Sequence, residues 1–217
     1  QAGIMHQRLN VDLESVQVPL GELLPDAFIR VDDRRKRAIT LEDLLTMRSG
    51  LTWQEYGNST VQMTASPHWV RYVLDRPLKY EPGTAFNYST GDTQLLVAAL
   101  QAQTGMALHD YAALYLFEPL GIEHFEWPTD PQGVTVGGSE LALTSHDMAK
   151  FGYLYLRDGV WEDERLLPQG WVADSAHAYT TFDPRRVTEC AGLGYGYLWW
   201  LRPQGGHDSM IAVGYGG

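Results

Sequence analysis

The sequence predicts an α+β fold in which a helical region packs beside an antiparallel sheet. Three observations lead there. Helix signals with caps recur through the first four fifths of the chain. Aromatic and β-branched runs with a glycine pair between them occupy the end. No strand–helix–strand alternation is present, which argues against a doubly wound parallel sheet. One domain spanning residues 1–217 is expected, with a helical region over about 30–180 and a β-hairpin over about 193–217.

Residues 9–30 read as a strand or turn and a short amphipathic piece ending at Leu24-Pro25-Asp26. Thr40-Leu41-Glu42-Asp43 is a capping box, a threonine N-cap with an acid three residues on. Its helix should carry Leu44, Leu45 and Met47 and stop at Ser49-Gly50. Residues 51–65, with Trp53, Tyr56, Gly57 and Asn58, read as a surface loop. Ser66-Pro67 is an N-cap followed by proline at the first helical position, and the helix it opens carries Trp69, Val73 and Leu74. A helix from about Asp92 to Thr104 shows the 3.6 period in Leu95, Leu96, Ala99 and Leu100, with Gly105 as terminator. Another runs from Leu108 to Phe117. Residues 121–140 are loop-like. Thr144-Ser145-His146-Asp147 caps a helix carrying Phe151, Leu154 and Tyr155 that closes at Gly159. A short helix covers Pro168–His177. "GYGYLWWL" (194–201) and "SMIAVGYGG" (209–217), with Gly205-Gly206 between, form the hairpin.

Composition excludes several classes. The net charge of −11 disfavours a nucleic-acid partner, because phosphate contacts need clustered cations. The one basic run, Arg34-Arg35-Lys36-Arg37, follows Asp32 and Asp33 and reads as a solvated turn. Cys190 is the only cysteine, so no internal disulfide or paired-cysteine zinc site forms within the chain. No apolar stretch is long enough to span a bilayer. Gly192-Leu193-Gly194-Tyr195-Gly196 opens no helix and is not a dinucleotide loop. His124, Glu126, His207 and Asp208 lack metal-ligand spacing. Neither a metal nor a cofactor is expected.

Tyr88 stands out. It lies where the extended Glu81-Pro82-Gly83-Thr84 approach meets a long apolar helix, among the small polar residues Asn87, Ser89, Thr90 and Gly91. An isolated tyrosine is most simply a semi-buried packing residue, but a break in the chain is where side chains point into clefts.

Five segments in order resemble the serine β-lactamase and penicillin-binding-protein-like hydrolases, above all the class C-like branch of esterases and 6-aminohexanoate-oligomer hydrolases. They are "ITLEDLLTMRSGL" (39–51), "EPGTAFNYSTG" (81–91), "LFEPLGI" (116–122), "LALTSHDMAKFGYLYLRDG" (141–159), and "GYGYLWW" followed by "AVGYGG". The resemblance implies a β-lactamase/transpeptidase-like fold. It also implies three motifs: Ser-x-x-Lys, Tyr-x-Asn and a glycine-containing strand. Tyr88-Ser89-Thr90 matches the second, with Thr90 where asparagine is common. "GYGG" at 214–217 stands at the third, without its usual lysine. No serine here has a lysine three residues on. The fold is therefore expected to be incomplete at both ends, with the nucleophile outside this chain and the 217 residues inactive alone.

By that resemblance Tyr88 is the catalytic proton carrier, in a pocket that must lower its pKa for a base role at neutral pH. The N–H of Tyr215 is the oxyanion donor, although a glycine bulge in an edge strand is an equal reading of that segment. Thr90 and Trp53 are the expected substrate contacts; their place on the 51–65 loop makes Trp53 and Tyr56 candidates for the cleft entrance, packing being the alternative for the tryptophans. The expected substrate is a small ester, amide or peptide. The alternative is a non-catalytic relative that binds peptide or cell-wall fragments.

Overall fold

The computed structural model describes residues 16–182, 193–204 and 207–214. Helices dominate the first part: α1 (Leu20–Leu23), α2 (Leu41–Leu45), α3 (Ser59–Ala65), α4 (Trp69–Leu74), α5 (Thr90–Thr104), α6 (Leu108–Ala112), α7 (Ser145–Leu156) and α8 (Trp171–Ser175). Two 3₁₀ turns, Pro25–Phe28 and Arg34–Ala38, precede α2, and a π-helical turn, Ala113–Phe117, extends α6. A two-residue hairpin, β1 (Val160–Trp161) and β2 (Glu164–Arg165), follows α7. The strands β3 (Thr180–Thr181), β4 (Gly194–Tyr195), β5 (Trp200–Gln204) and β6 (His207–Ile211) then form an antiparallel sheet in that order. The α+β prediction holds. None of the described helices is long and apolar enough to cross a membrane.

Helix starts follow the caps. Thr40 Oγ1 accepts from the Asp43 N–H at 3.1 Å and Asp43 Oδ2 accepts from the Thr40 N–H at 2.9 Å, the reciprocal box expected for α2. Thr144 Oγ1 accepts from the Asp147 N–H at 3.1 Å at the head of α7.

The ends and the short elements depart from expectation. Helix α2 stops at Leu45, short of Met47 and of the expected Ser49-Gly50 terminator, because Thr46 Oγ1 bonds back to the Glu42 carbonyl at 2.7 Å and Met47 turns left-handed at φ 57°. The stretch read as a surface loop contains α3, whose one buried residue, Met63, is too little for a periodic signal. Helix α4 begins at Trp69, not at Ser66-Pro67, since Ser66 closes α3. The hairpin β1–β2 turns on Glu162 and Asp163, both at positive φ, the geometry of a type I′ turn.

"GYGYLWWL" is not one strand. It bends between β4 and β5 at Leu198, φ 61°. Gly196 lies so close to α8 that a Cβ there would stand 2.0 Å from the Ser175 carbonyl oxygen. Register pairs Tyr195 with Trp200 and Trp200 with Ile211. These three therefore share one face, as period-two side chains must. The predicted Gly205-Gly206 turn, Cys190 and residues 1–15 lie outside the described residues.

The larger core gathers Leu20, Phe28, Leu44, Trp53, Val73 and Leu95 around α5; a second joins Phe117, Leu120, Ile122 and Leu154. The basic run is only partly solvated. Arg35 pairs with Asp33 at 2.7 Å and with Glu81. Lys36 is 6% exposed, and its Nζ donates to the Leu74 carbonyl at 2.7 Å, closing the end of α4. Burial lowers the pKa of this ammonium. Lys36→Ala should cost about 1–3 kcal/mol by stranding that carbonyl. Arg34→Ala, on the exposed side of the same turn, should change stability by less than about 0.5 kcal/mol. Urea unfolding midpoints of the two variants check this.

Candidate active site

The turn before α5 is stitched to residues 47–53 on both sides of Tyr88. Asn87 N–H donates to the Met47 carbonyl at 2.8 Å, and its Nδ2 donates to the carbonyls of Leu51 and Trp53 at 3.3 and 3.2 Å. Ser89 N–H donates to Met47 Sδ at 3.3 Å, and Ser89 Oγ caps α5 by accepting from the Asp92 N–H at 3.1 Å. Neighbours held this way leave Tyr88 half-buried, its ring projecting toward the sheet beside that of Phe86. Its ring stacks on Trp200 with centroids 5.8 Å apart and meets Tyr195 edge-on at 6.1 Å. Phe86 packs on the same two rings, at 5.0 Å from Tyr195 and 6.1 Å from Trp200. The phenol thus sits at the seam of the helical region and the sheet. Its stacking partner Trp200 is in register with Ile211, the last residue of the strand leading toward 214.

The phenol's electrostatics differ from the expectation. Burial raises its pKa first, and the nearby Glu55 and Tyr56 raise it further. The described residues therefore hold the proton on, the state of an acid, where the sequence reading called for a lowered pKa.

Trp53 is not at an entrance. It is 4% exposed and belongs to the main core. A Cβ on Gly91 would lie 2.8 Å from its Cζ3 atom, so the indole lies directly on the first turn of α5. Tyr56, by contrast, is 96% exposed. Thr90 stands two residues past Tyr88, and its groups are engaged: the N–H donates to Glu55 Oε2 at 2.8 Å and the hydroxyl to Glu55 Oε1 at 2.6 Å. The hydroxyl oxygen keeps only acceptor capacity for a ligand. Tyr215 lies outside the described residues.

Sequence reasoning missed Glu55 and Asp92. Asp92 stands three residues after the Ser89 N-cap, the cap-to-acid spacing of the two capping boxes, whereas Glu55 falls in no motif or period and only the fold brings it to the Tyr88 turn. The expected loop over 121–140 holds no helix or named strand, and Gln94 ties it to α5: its Nε2 donates to Asp130 Oδ2 at 3.2 Å and its Oε1 accepts from the Gly137 N–H at 2.9 Å. Asp92 is fully buried. One carboxyl oxygen accepts from Ser49 Oγ at 2.9 Å; the other has no hydrogen-bond partner. Burial pushes its pKa up to about 7, Ser49 pulling against it.

The sequence profile of the Beta-lactamase family matches residues 1–217. Among solved structures, the chain is similar to a candidate 6-aminohexanoate-dimer hydrolase from Bacillus anthracis, with TM-score 0.71, 19% identity and coverage of 85% of this chain and 52% of that one. It is similar to an octameric penicillin-binding protein homologue from Pyrococcus abyssi, with TM-score 0.65, 19% identity and coverage of 89% and 49%. It is 27% identical over 109 residues to an unguisins hydrolase of Aspergillus violaceofuscus, covering 49% of this chain and 19% of that protein. The chain spans about half the length of the two solved structures.

The buried acid gives a pH signature. Between the ordinary carboxyl value of 3.8 and about 7 the folded state holds a proton that the unfolded state has released. Stability therefore falls as pH rises through that window and levels above it. Asp92→Asn mimics the protonated acid. Its stability relative to the native chain should rise from pH 4 to pH 8 by on the order of a few kcal/mol, read from urea unfolding at both pH values. An equal difference at pH 4 and pH 8 would contradict the buried-acid assignment.

Proposed function

Because the chain belongs to the Beta-lactamase family, we propose that it works as part of a serine hydrolase that cleaves an ester or amide through an acyl-enzyme, with Tyr88 as the proton carrier. The observation that carries this is the placement of the Tyr88 phenol. Half-buried on a turn whose Asn87 and Ser89 are bonded to residues 47–53, it stacks on Trp200 of β5. No serine of this sequence has a lysine three residues on. The nucleophile and its lysine are therefore taken to come from outside these 217 residues.

The steps follow from that placement. The serine oxygen attacks the carbonyl carbon as its proton leaves to the lysine–tyrosine pair, and the carbonyl π electrons move onto oxygen. Collapse of that tetrahedral intermediate restores the carbonyl and breaks the bond to the leaving group, which takes a proton from the Tyr88 hydroxyl. Water then repeats the sequence on the acyl-serine. The described surroundings favour the protonated phenol, which suits the donation to the leaving group. The base half of the cycle needs a cation beside the phenol, since an opposite charge stabilises the phenolate. The lysine of the missing motif is the natural source.

Backbone donors must meet the oxyanion, and the Tyr215 N–H is proposed for one of them. Thr90 is proposed to accept from a substrate N–H, its own proton being committed to Glu55. The lack of lysine in "GYGG" and the negative charge of Glu55 both disfavour a substrate that brings a carboxylate to this wall. Neutral amides and esters fit better. The Bacillus and Aspergillus proteins named above are called hydrolases, one of 6-aminohexanoate dimer and one of unguisins, which supports the reading.

The protein together with its Ser-x-x-Lys segment should be acylated by a fluorophosphonate probe. Tyr88→Phe should lower turnover of a p-nitrophenyl ester or anilide by about 10²–10⁴-fold with little change in unfolding temperature. Failure of the complete protein to be labelled would sink the hydrolase assignment and favour the non-catalytic reading, a binding protein for peptide or cell-wall fragments.

A further inference from the structure

Glu55 gathers four donors on one carboxylate. Trp53 Nε1 and the Thr90 N–H meet Oε2 at 2.7 and 2.8 Å, while the hydroxyls of Thr90 and Thr60 meet Oε1 at 2.6 and 3.3 Å. These donors belong to three segments: the 51–58 loop, α3 and the first turn of α5. A carboxylate at a helix N-terminus also faces the positive end of the helix dipole, here of a 15-residue helix. Surface side chains rarely hold such a geometry, because fixing a long acidic side chain costs rotamer entropy that one or two bonds do not repay.

We propose that Glu55 is a positioning residue for Tyr88: its carboxylate pins the first turn of α5 to the 51–58 loop and sets a fixed negative charge beside the phenol. The charge acts through space on a half-buried group, where screening by water is incomplete. The titratable groups facing the phenol are Glu55 and Tyr56 from the loop and Tyr195 from β4. Glu55, with Tyr56 after it, adds to burial in keeping the proton on Tyr88, while Tyr195, itself raised by burial, stays a neutral phenol. Glu55 thus supports the acid form that donates to a leaving group, and it opposes the phenolate until a cation arrives. This rests on Tyr88 being the proton carrier.

The test follows the phenol itself. In the full chain labelled with [13Cζ]tyrosine, the Tyr88 signal among the 12 tyrosines is assigned by its loss in Tyr88→Phe and titrated by NMR. Glu55→Gln removes the charge and keeps one acceptor oxygen. It should lower the Tyr88 midpoint by about half a pH unit or more, roughly a threefold loss of proton affinity. In the native chain, raising salt from about 0.05 to 1 M should lower the same midpoint by screening, and in Glu55→Gln, where only the chain's remaining net charge is left to screen, it should lower it less. An unchanged midpoint in folded Glu55→Gln overturns the proposal. Should that variant fail to fold, a native midpoint insensitive to salt overturns it instead. Full turnover in Tyr88→Phe would overturn the function proposed above while leaving the midpoint shift in place, so the two failures are separable.

Discussion

The N-terminus of α5 is the constraint on which the rest of the candidate site depends. A helix start leaves backbone N–H groups without intrahelical partners; here its own N-cap and Glu55 of the preceding loop accept two of them, and Asn87 ties the approach to the 51–53 segment. Ser89 caps the Asp92 N–H, Glu55 receives the Thr90 N–H, and Asn87 binds the carbonyls of the 51–53 segment. The helix cannot shift without breaking bonds to all of them. Tyr88 lies inside this set and inherits its rigidity. A proton carrier must be placed to within a fraction of an ångström, and a phenol on a free loop would not be.

The first turns of α5 also explain why a central helix carries polar residues on its buried side. Asp92, Thr93 and Gln94 are all buried, which an amphipathic pattern would forbid. Each meets a specific group. Asp92 accepts from Ser49, Thr93 donates to the Thr90 carbonyl at 2.8 Å, and Gln94 spans from Asp130 to Gly137. Buried polar groups are tolerated when paired, and the bonds of Asp92 and Gln94 tie Ser49 and the loop at Asp130 and Gly137 to α5. The unpartnered oxygen of Asp92 is the exception, and protonation is its resolution.

Contact between sheet and helices is aromatic at the seam and polar at its edge. Phe86, Tyr88, Tyr195, Trp200 and Phe182 interlock mostly edge-to-face, a geometry that suits ring quadrupoles. Beside them Tyr179 donates to Tyr197 at 2.8 Å and Tyr197 to Glu42 Oε1 at 2.9 Å, while the Leu198 N–H reaches the Leu45 carbonyl at 2.9 Å. Strands β3 and β4 are thereby latched to α2. The sheet is oriented against Tyr88 by these bonds as well as by packing.

Local chemistry was enough for much of this. The capping boxes at Thr40 and Thr144, the break at Tyr88, the run of α5 to Gly105 and the antiparallel terminal strands could all be read from short windows, because caps and periods are interactions between residues three or four apart. The same windows misread α3, the end of α2 and the fold-back at Leu198, where a single buried methionine, a back-bonding threonine and the close approach of α8 decide. Trp53 shows the limit most clearly. Its loop-like neighbours placed it at an entrance, yet its indole is buried against Gly91, 38 residues away in sequence. Glu55 carries no local signal, and Asp92 only that of an acid three residues after a serine cap, since its donor Ser49 and the donors from α3 and α5 to Glu55 come from other segments. The sequence by itself determined the family, the α+β class and the singular position of Tyr88. Only the tertiary structure decided that the phenol meets acids and aromatic rings, because burial and charge proximity are properties of neighbours the chain brings together on folding.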